Sequence, residues 1–232
     1  MAALVLAAGN GARMGGVAKP LIRIDGQALV CRLVQSLQAA GIDRIVVVIG
    51  PHTQGVQQAL SEGLAVLPPG LSFVAVKPDC DQMYSLQQGL KALTDLQAAV
   101  MVCLADQPLI DAHAVSALQF AFANRPAQAD MVVPCVQGHP GNPVVLSAQL
   151  AREWLALPEP VSGLSVWSDE RPVVRRLLDR ERPLETEWLL SLPMAAAASV
   201  IDPLQAGGVR ASLGHERDGV GQWRLVDKGD RG

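Results

Sequence analysis

The loop that decides the fold is Leu6-Ala-Ala-Gly-Asn-Gly-Ala-Arg-Met-Gly-Gly-Val-Ala-Lys-Pro-Leu21, which follows a short apolar run. Its four glycines tolerate positive φ angles and leave room for a ligand, so the main chain can turn sharply and aim several N–H groups at a phosphate. Arg13 and Lys19 add a fork-shaped cation and a point charge to the same loop. The loop is therefore predicted to bind a polyphosphate; the alternative, a mobile surface loop, leaves both cations without a role.

Two common phosphate-binding motifs differ from this loop in spacing. A Walker loop ends in Gly-Lys followed by Ser or Thr, whereas here Gly16 is followed by Val17. The glycine spacing GxGxxxG comes closer to a dinucleotide fingerprint, which expects an acidic residue at the end of the second strand to bind the ribose. That strand ends at residues 49–52 with Ile-Gly-Pro-His. A nicotinamide-linked oxidoreductase is therefore a weaker alternative.

Apolar runs alternate with amphipathic stretches along the chain, which is the pattern of βαβ units. We predict strands at residues 3–6, 44–49, 71–76 and 99–104, and helices at 28–39, 53–61, 85–93 and 111–123. A further strand pair is predicted at 130–135 and 143–146, joined by the turn-rich segment 138–143. The expected fold class is α/β, with a doubly wound, mostly parallel sheet and helices on both faces. Such sheets bind ligands beyond the carboxyl ends of their strands.

Composition excludes several classes of protein. Of the 232 residues, 50% are hydrophobic and 18% are charged, and the net charge is −3. Because no basic surplus exists to neutralise phosphates, we expect no nucleic-acid partner. The apolar runs, such as 45–49 and 98–105, are far shorter than the ~20 residues of a membrane span, so we expect no membrane partner. The N-terminus has no basic region with a cleavage site, which predicts a cytoplasmic protein.

The chain is expected to form one domain over residues 1–204 and a C-terminal tail over 205–232. Residues 151–190 hold 14 charged side chains against 17 in the first 150, and the mixed signs of 169–187 are typical of a solvated face. The tail is rich in glycine, so we expect it to be poorly ordered or to form a strand near 223–226. The four cysteines, at 31, 80, 103 and 135, lack metal-ligand spacing and are predicted to be buried as small hydrophobic residues. A monomer or a weak oligomer is expected.

An aspartate follows the most apolar predicted strand, in the sequence Leu104-Ala-Asp-Gln-Pro-Leu109. At that position Asp106 faces the same crevice as the glycine-rich loop. A carboxylate there can bind Mg²⁺ through one or two oxygens, while nucleotide phosphates and water complete the octahedron. The alternative is structural: Asp106 could cap the helix that begins near Asp111, or order the turn before Pro108.

The loop at residues 6–21, LAAGNGARMGGVAKPL, resembles the signature of the nucleotidyltransferases with the MobA-like NTP transferase fold. That family includes the molybdenum cofactor cytidylyltransferases and guanylyltransferases and, more distantly, sugar-phosphate and isoprenoid cytidylyltransferases. The resemblance covers about residues 1–150 and implies a Rossmann-like nucleotide-diphospho-sugar transferase fold. It also implies that the loop wraps a triphosphate, with the nucleotide-binding positions Leu6, Ala7, Ala8, Gly9, Gly11, Arg13 and Lys19.

The same resemblance implies two metal ligands. LADQPL is similar to the metal-binding motif of the cytidylyltransferase branch, in which the aspartate corresponding to Asp106 holds magnesium. The family usually shows a second motif, Asp-x-Asp-Thr-Pro, near the end of the fold. Ser199-Val-Ile-Asp-Pro203 is its nearest match, with one acid and no threonine. Asp202 is therefore the second candidate, and an ordinary helix-start residue before proline is the alternative.

The substrate side is predicted from two further segments. Ser85 is expected at the N-terminus of a helix as its N-cap, and the family has a comparable serine in contact with the nucleotide. Gly138-His-Pro-Gly-Asn-Pro143 resembles the family's glycine-proline loop near the acceptor substrate. It supplies the acceptor-binding candidates Gly138, Pro140, Gly141 and Asn142. His139 is interpreted as an exposed loop residue rather than a general base.

The resulting hypothesis is Mg²⁺-dependent transfer of a nucleotidyl group from an NTP to a small phosphorylated acceptor, with Arg13, Lys19 and Asp106 as the catalytic residues. The tetrapeptide LAAG together with LADQP favours CTP and a molybdopterin acceptor, whereas the spacing of GGVAK resembles the guanylyltransferase loop. A GTP-dependent guanylyltransferase, a sugar-phosphate or isoprenoid cytidylyltransferase and a non-catalytic nucleotide-binding module remain the alternatives.

Overall fold

A six-stranded sheet forms the centre of the computed structural model, which describes residues 1–11, 18–78, 80–93, 98–108, 110–127, 129–136, 139–156, 213–217 and 223–227. The strands of the described residues are β1 (Ala2–Ala7), β2 (Arg23–Ile24), β3 (Gln27–Ala28), β4 (Arg44–Ile49), β5 (Gly70–Ala75), β6 (Val100–Leu104), β7 (Met131–Val132), β8 (Cys135–Val136), β9 (His139–Pro140), β10 (Val144–Leu146), β11 (Leu213–Arg217) and β12 (Trp223–Asp227). The helices are α1 (Leu29–Ala39), α2 (Thr53–Gly63), α3 (Gln82–Ala92), α4 (Ala112–Ala123) and α5 (Ala148–Leu155), with a 3-10 turn at Lys19–Leu21.

The central sheet has the order β5-β4-β1-β6-β10-β7. Strands β5, β4, β1 and β6 run parallel, and β10 is antiparallel to both β6 and β7. Every residue of β1 is buried, as expected of a parallel strand covered on both faces. The predicted α/β class with a mostly parallel, doubly wound sheet is therefore confirmed.

Two hydrophobic cores lie on opposite faces of this sheet. Because side chains alternate along a strand, Ala3 and Val5 of β1 pack into the core formed with α1, α2 and α4. Leu4 and Leu6 point to the other face, into the core formed with α3 and α5. Gly89 lets α3 lie close to the sheet, since a Cβ there would collide with the side chain of Leu4. The helices therefore cover both faces, as the sequence pattern predicts.

The start of α3 differs from the sequence prediction. The helix begins at Gln82, with Asp81 as its N-cap, and the Asp81 carboxylate accepts a hydrogen bond from the N–H of Tyr84 at 2.6 Å. The prediction that Ser85 is the N-cap is therefore wrong. Ser85 lies one turn inside the helix, where its hydroxyl donates back to the carbonyl of Asp81 at 3.2 Å. Both residue types are good caps, and the upstream aspartate takes the position.

The predicted strand over residues 130–135 is divided in two. Its first part, β7, pairs with β10, whereas β8 forms a separate hairpin with β9. Pro134 stands between the two parts and has no N–H to donate to a ladder. Its carbonyl instead accepts a hydrogen bond from the N–H of Gly141 at 2.7 Å. The hairpin therefore leaves the central sheet at the proline.

A second sheet, of order β11-β12-β2-β3, joins distant parts of the chain. The strand expected near 223–226 is present as β12, which pairs with β11 and, at Trp223 and Ile24, with β2. The charged run 169–187 lies outside the described residues, and the boundary between 204 and 205 stays a prediction. Across the described ranges, no helix is both long and apolar enough to cross a membrane.

Two of the cysteines are buried as predicted. Cys31 donates to the carbonyl of Ala59 at 3.1 Å, and desolvation raises the pKa of its thiol, partly opposed by the charge of Arg23. Cys103 is completely buried in the sheet, which raises the pKa of its thiol well above the usual range. Cys80 is only partly buried, so the prediction of burial is wrong there. For Cys135 the structure describes the backbone and not the side chain.

Candidate active site

A cavity of about 540 Å³ opens at the carboxyl edge of the central sheet. It lies between the ends of β1 and β6, the point at which the strand order reverses direction, where doubly wound sheets bind their ligands. Its walls come from the loop after β1, the 3-10 turn, the start of α3 and the loop after β6. The lining residues are Leu6, Ala7, Ala8, Gly9, Asn10, Gly11, Lys19, Pro20, Cys80, Gln82, Ser85, Leu104, Ala105 and Asp106.

The loop after β1 forms one side of this cavity with its backbone. Gly11 has a φ of 65°, a left-handed conformation that glycine adopts without strain. The loop is anchored to its neighbours at two points. The N–H of Ala105 donates to the carbonyl of Leu6 at 3.1 Å, and Gly50 at the end of β4 lies directly against the carbonyl of Ala8. The backbone that would meet a phosphate is thus held by both adjacent strands.

Lys19 and Asp106 are 87 residues apart in sequence and meet inside the cavity. Nζ of Lys19 lies 3.4 Å from Oδ2 of Asp106, and their side chains are 20% and 21% exposed. The 3-10 turn begins at Lys19, and Pro20 is its second residue. The turn packs through Leu21 against Gly55 of α2. The fold therefore brings a cation and a carboxylate to one place on the cavity wall.

The structural alternative for Asp106 as a helix cap is wrong. Helix α4 is capped by Asp111, whose carboxylate accepts from the N–H of Ala114 at 2.8 Å. The carboxylate of Asp106 instead faces the cavity and pairs with Lys19.

The opposite wall is formed by the start of α3 and contains residues that sequence reasoning missed. Ser85, a predicted nucleotide-binding residue, lines the cavity but is only 4% exposed. Sγ of Cys80 lies 3.3 Å from Oγ of Ser85 and also lines the cavity, as does Gln82. Neither residue belongs to a chemical motif; the available signal was their position just after β5, at the carboxyl edge where ligands bind.

For several predicted site residues the structure describes no place in this cavity. Arg13, Gly138 and Asp202 lie outside the described residues. Pro140 belongs to β9; Gly141 and Asn142, which follow it, are not among the residues that line the cavity. Their proposed contact with an acceptor, and the metal role of Asp202, therefore stay predictions.

The donor set of the cavity fits a magnesium ion that is bound together with a nucleotide. In the part of the chain that the structure describes, no three His, Cys, Asp or Glu side chains cluster as a complete metal cage, and Asp106 is the one acid among the lining residues. Mg²⁺ is usually held by one or two carboxylates, with substrate phosphates and water as the remaining ligands. A single cavity-facing carboxylate in a cavity lined by the glycine-containing loop matches that chemistry.

Comparison with known proteins assigns the domain. Residues 3–180 match the family described as the MobA-like NTP transferase domain. The chain is 25% identical to the bifunctional protein GlmU of Synechococcus sp. strain CC9902 over an alignment that covers 98% of this chain and 54% of that protein. The chain thus spans about half the length of that curated relative.

Solved structures show the same fold. Rv0371c from Mycobacterium tuberculosis H37Rv is similar with a TM-score of 0.61 and 20% identity, over 74% of this chain and 84% of that one. A complex of Rv0371C with manganese is similar with a TM-score of 0.55 and 20% identity, over 72% of this chain and 79% of that one. At this identity the likeness concerns the fold.

Proposed function

The chain belongs to the MobA-like NTP transferase family, and on that premise we propose that it is a Mg²⁺-dependent enzyme that joins a nucleoside monophosphate unit to a small phosphorylated acceptor. The family assignment makes it a nucleotidyltransferase; the metal, the nucleotide and the acceptor are our proposal. The observation that carries it is the meeting of Lys19, Asp106 and the glycine-containing loop in one cavity.

In the proposed reaction, an acceptor phosphate oxygen attacks the α-phosphorus of the NTP, and the bond between the α-phosphorus and the bridging oxygen of pyrophosphate breaks. The second pKa of a phosphate monoester is about 6, so the nucleophile is already ionised at neutral pH. A general base is therefore unnecessary, and catalysis reduces to alignment and charge stabilisation.

The protein residues divide that work between them. The backbone of the loop after β1, including Gly9 and Gly11, cradles the phosphates, and Ser85 lies on the nucleoside side. Lys19, together with Arg13, stabilises the charge that develops on the leaving pyrophosphate. Asp106 would hold the metal, with Asp202 as the proposed second ligand. A magnesium ion held there would supply the positive charge that neutralises the phosphates.

For the nucleotide we propose CTP, and for the acceptor a molybdopterin-type phosphate monoester. LAAG at the end of β1 and LADQP at the end of β6 support this choice. GTP-dependent guanylyl transfer is the second candidate, because GGVAK has the spacing of the guanylyltransferase loop. Sugar-phosphate or isoprenoid cytidylyl transfer comes third. In this proposal residues 1–204 form the transferase domain of a cytoplasmic monomer or weak oligomer, with 205–232 as its tail, and Gly138, Pro140, Gly141 and Asn142 contact the acceptor.

The test begins with thermal stabilisation by CTP, GTP, UTP, ATP and NAD(P), each with and without Mg²⁺, because a ligand that binds only the native state raises the melting temperature. A Mg²⁺-dependent shift with CTP supports the proposal, and one with GTP supports the guanylyl candidate. A shift with NAD(P) alone, or with none of these ligands, contradicts it. A shift with an NTP that never leads to pyrophosphate release in the presence of acceptor indicates a binding module instead.

Substitution then tests the metal ligand. Asp106→Ala is expected to lower pyrophosphate release by more than about a hundredfold, while circular dichroism and the melting temperature show an intact fold. Asp43→Ala is the matched control, because Asp43 is exposed at the amino end of β4, on the opposite edge of the sheet. Near-wild-type turnover of Asp106→Ala would falsify the metal role.

A further inference from the structure

Lys19 and Asp106 are paired with each other, although the proposed function gives each a different partner. The 3.4 Å contact places the Lys19 ammonium at Oδ2 of Asp106, on the carboxylate that a metal ion would use. The same contact places the carboxylate beside the ammonium that a triphosphate would use. Each ligand therefore competes with this ion pair.

We propose that this ion pair is a switch that couples metal binding to triphosphate binding. A triphosphate draws Lys19 away and frees the carboxylate of Asp106 for the cation, and a cation on Asp106 repels Lys19 toward the phosphates. The coupling is reciprocal, because thermodynamic linkage requires each ligand to change the other's affinity by the same factor. The inference rests on the proposed function, since it needs a metal on Asp106 and a phosphate on Lys19.

The charges in the cavity explain why each ligand is expected to bind more weakly alone than together with the other. A metal ion on Asp106 without nucleotide leaves the Lys19 ammonium beside a dication. A triphosphate on Lys19 without metal leaves the carboxylate of Asp106 facing an anion. When both ligands are present, every charge has an opposite partner. The strength of each repulsion is set by the low exposure of the two side chains, about one fifth each, which limits screening by water.

The local structure indicates which partner moves. Asp106 directly follows β6, and the end of that strand is tied to β1 by the hydrogen bond from Ala105 to Leu6. Lys19 projects from a short 3-10 turn on a flexible four-carbon stem. Asp106 therefore stays in place while the lysine side chain changes partner.

The decisive experiment measures binding of Mn²⁺ alone, without nucleotide, by electron paramagnetic resonance of the free ion. Lys19→Met removes the ammonium and keeps the length of the side chain. We expect it to bind Mn²⁺ about fivefold more tightly than the wild type, the order expected when a competing ion pair of this exposure is removed. The same variant should bind a non-hydrolysable NTP more weakly, so its two affinities change in opposite directions.

Two controls separate the switch from a general effect of charge. Lys19→Arg keeps the cation and is expected to bind Mn²⁺ nearly as the wild type does. Lys77→Met removes a lysine that lies 5.1 Å from the ring centre of Tyr84 and does not line the cavity. This variant changes the net charge by the same amount as Lys19→Met and is expected to leave the Mn²⁺ affinity unchanged. Lys19→Gln serves as a second neutral variant if Lys19→Met does not fold.

The outcomes distinguish failure of the switch from failure of the proposed function. Neutral Lys19 variants that bind Mn²⁺ no more tightly than the wild type overturn the switch, provided that Asp106→Asn abolishes Mn²⁺ binding. An Asp106→Asn protein that still binds Mn²⁺ like the wild type overturns the proposed metal site, and the switch with it. If Lys77→Met gains as much Mn²⁺ affinity as Lys19→Met, the switch is also overturned, because the change in net charge then accounts for the effect.

Discussion

Gly50 lies against the backbone of the loop that forms the cavity. A Cβ at this position would be 2.5 Å from the carbonyl oxygen of Ala8 and 3.1 Å from its Cα. The obstacle is main chain, which cannot rotate aside as the end of a flexible side chain can. Any larger residue at position 50 must therefore shift the loop that, in the proposed function, holds the phosphates.

Gly50→Ala is expected to lower the affinity for a non-hydrolysable NTP by about tenfold, or ~1.4 kcal/mol, because the loop loses its geometry. Isothermal titration calorimetry measures the change. Gly70→Ala, at the first residue of β5, is the matched control: its Cβ would lie 2.8 Å from the backbone carbonyl oxygen of Asp43, just before β4 and at the amino edge of the sheet. It should destabilise the fold to a similar extent without changing nucleotide affinity. Equal losses of affinity in both variants would contradict a positioning role for Gly50.

At the residue scale, the sequence pointed to those cavity residues whose side-chain type itself indicates a chemistry. Lys19 and Asp106 were identified because a cation in a glycine-rich loop and an acid after an apolar strand each point to phosphate or metal chemistry. Cys80 and Gln82 carry no such signal, and their place in the cavity wall follows from where α3 begins. Sequence reasoning therefore missed the residues that belong to the cavity only because of their three-dimensional position.

At the level of elements, long apolar strands were predictable, and of the short strands the pair β7 and β10 was predicted. The run at 44–49 is observed without change as β4, because five consecutive buried residues leave no other placement. Strands β2, β3, β8 and β9 have two residues each, too few for a hydrophobic period to show. The start of α3 was missed because Asp81 and Ser85 are both good caps, and a sequence alone does not rank them.

The cap of α3 supports both the helix and the cavity wall. Asp81→Ala is expected to lower the free energy of unfolding by about 1 kcal/mol, since it removes the acceptor for the N–H of Tyr84. It should also weaken NTP binding, because the first turn of α3 lines the cavity. Urea unfolding and titration calorimetry give the two values.

Asp111→Ala is the matched control for that prediction. Asp111 caps α4 through an equivalent hydrogen bond to Ala114, but α4 contributes nothing to the cavity lining among the described residues. A comparable loss of stability with unchanged NTP affinity is expected. If Asp81→Ala behaves in the same way, the start of α3 plays no part in nucleotide binding.

For the molecule as a whole, strand order explains where the site lies. The chain leaves β1 toward β4 and β5 on one side and returns to β6 on the other, so the connections after β1 and β6 diverge. The diverging loops leave a cavity between them, and the sequence allowed this to be predicted from the α/β pattern. The pairing in the second sheet could not be predicted, because its strands β2 and β12 are about 200 residues apart in sequence and β2 has only two residues.

That second sheet connects the C-terminal segment to the cavity. Strand β12 pairs with β2 at Trp223 and Ile24, and β2 follows directly after the turn that carries Lys19. A chain ending at residue 204 therefore loses the strand that supports this turn. We expect it to keep the central sheet, melt a few °C lower and bind NTP about threefold more weakly. The measurements are a thermal melt and calorimetry.

The full-length variant Leu225→Pro tests the same connection without truncation. Proline cannot donate to a strand ladder, and position 225 is paired with His215 in the middle of β12. It should lower NTP affinity in the same direction as the shortened chain, because the strand that supports β2 is disrupted. The turn that carries Lys19 also packs against α1 and α2. Unchanged NTP affinity in both proteins would mean that these two helices alone hold the turn, and that the segment after residue 204 serves another purpose.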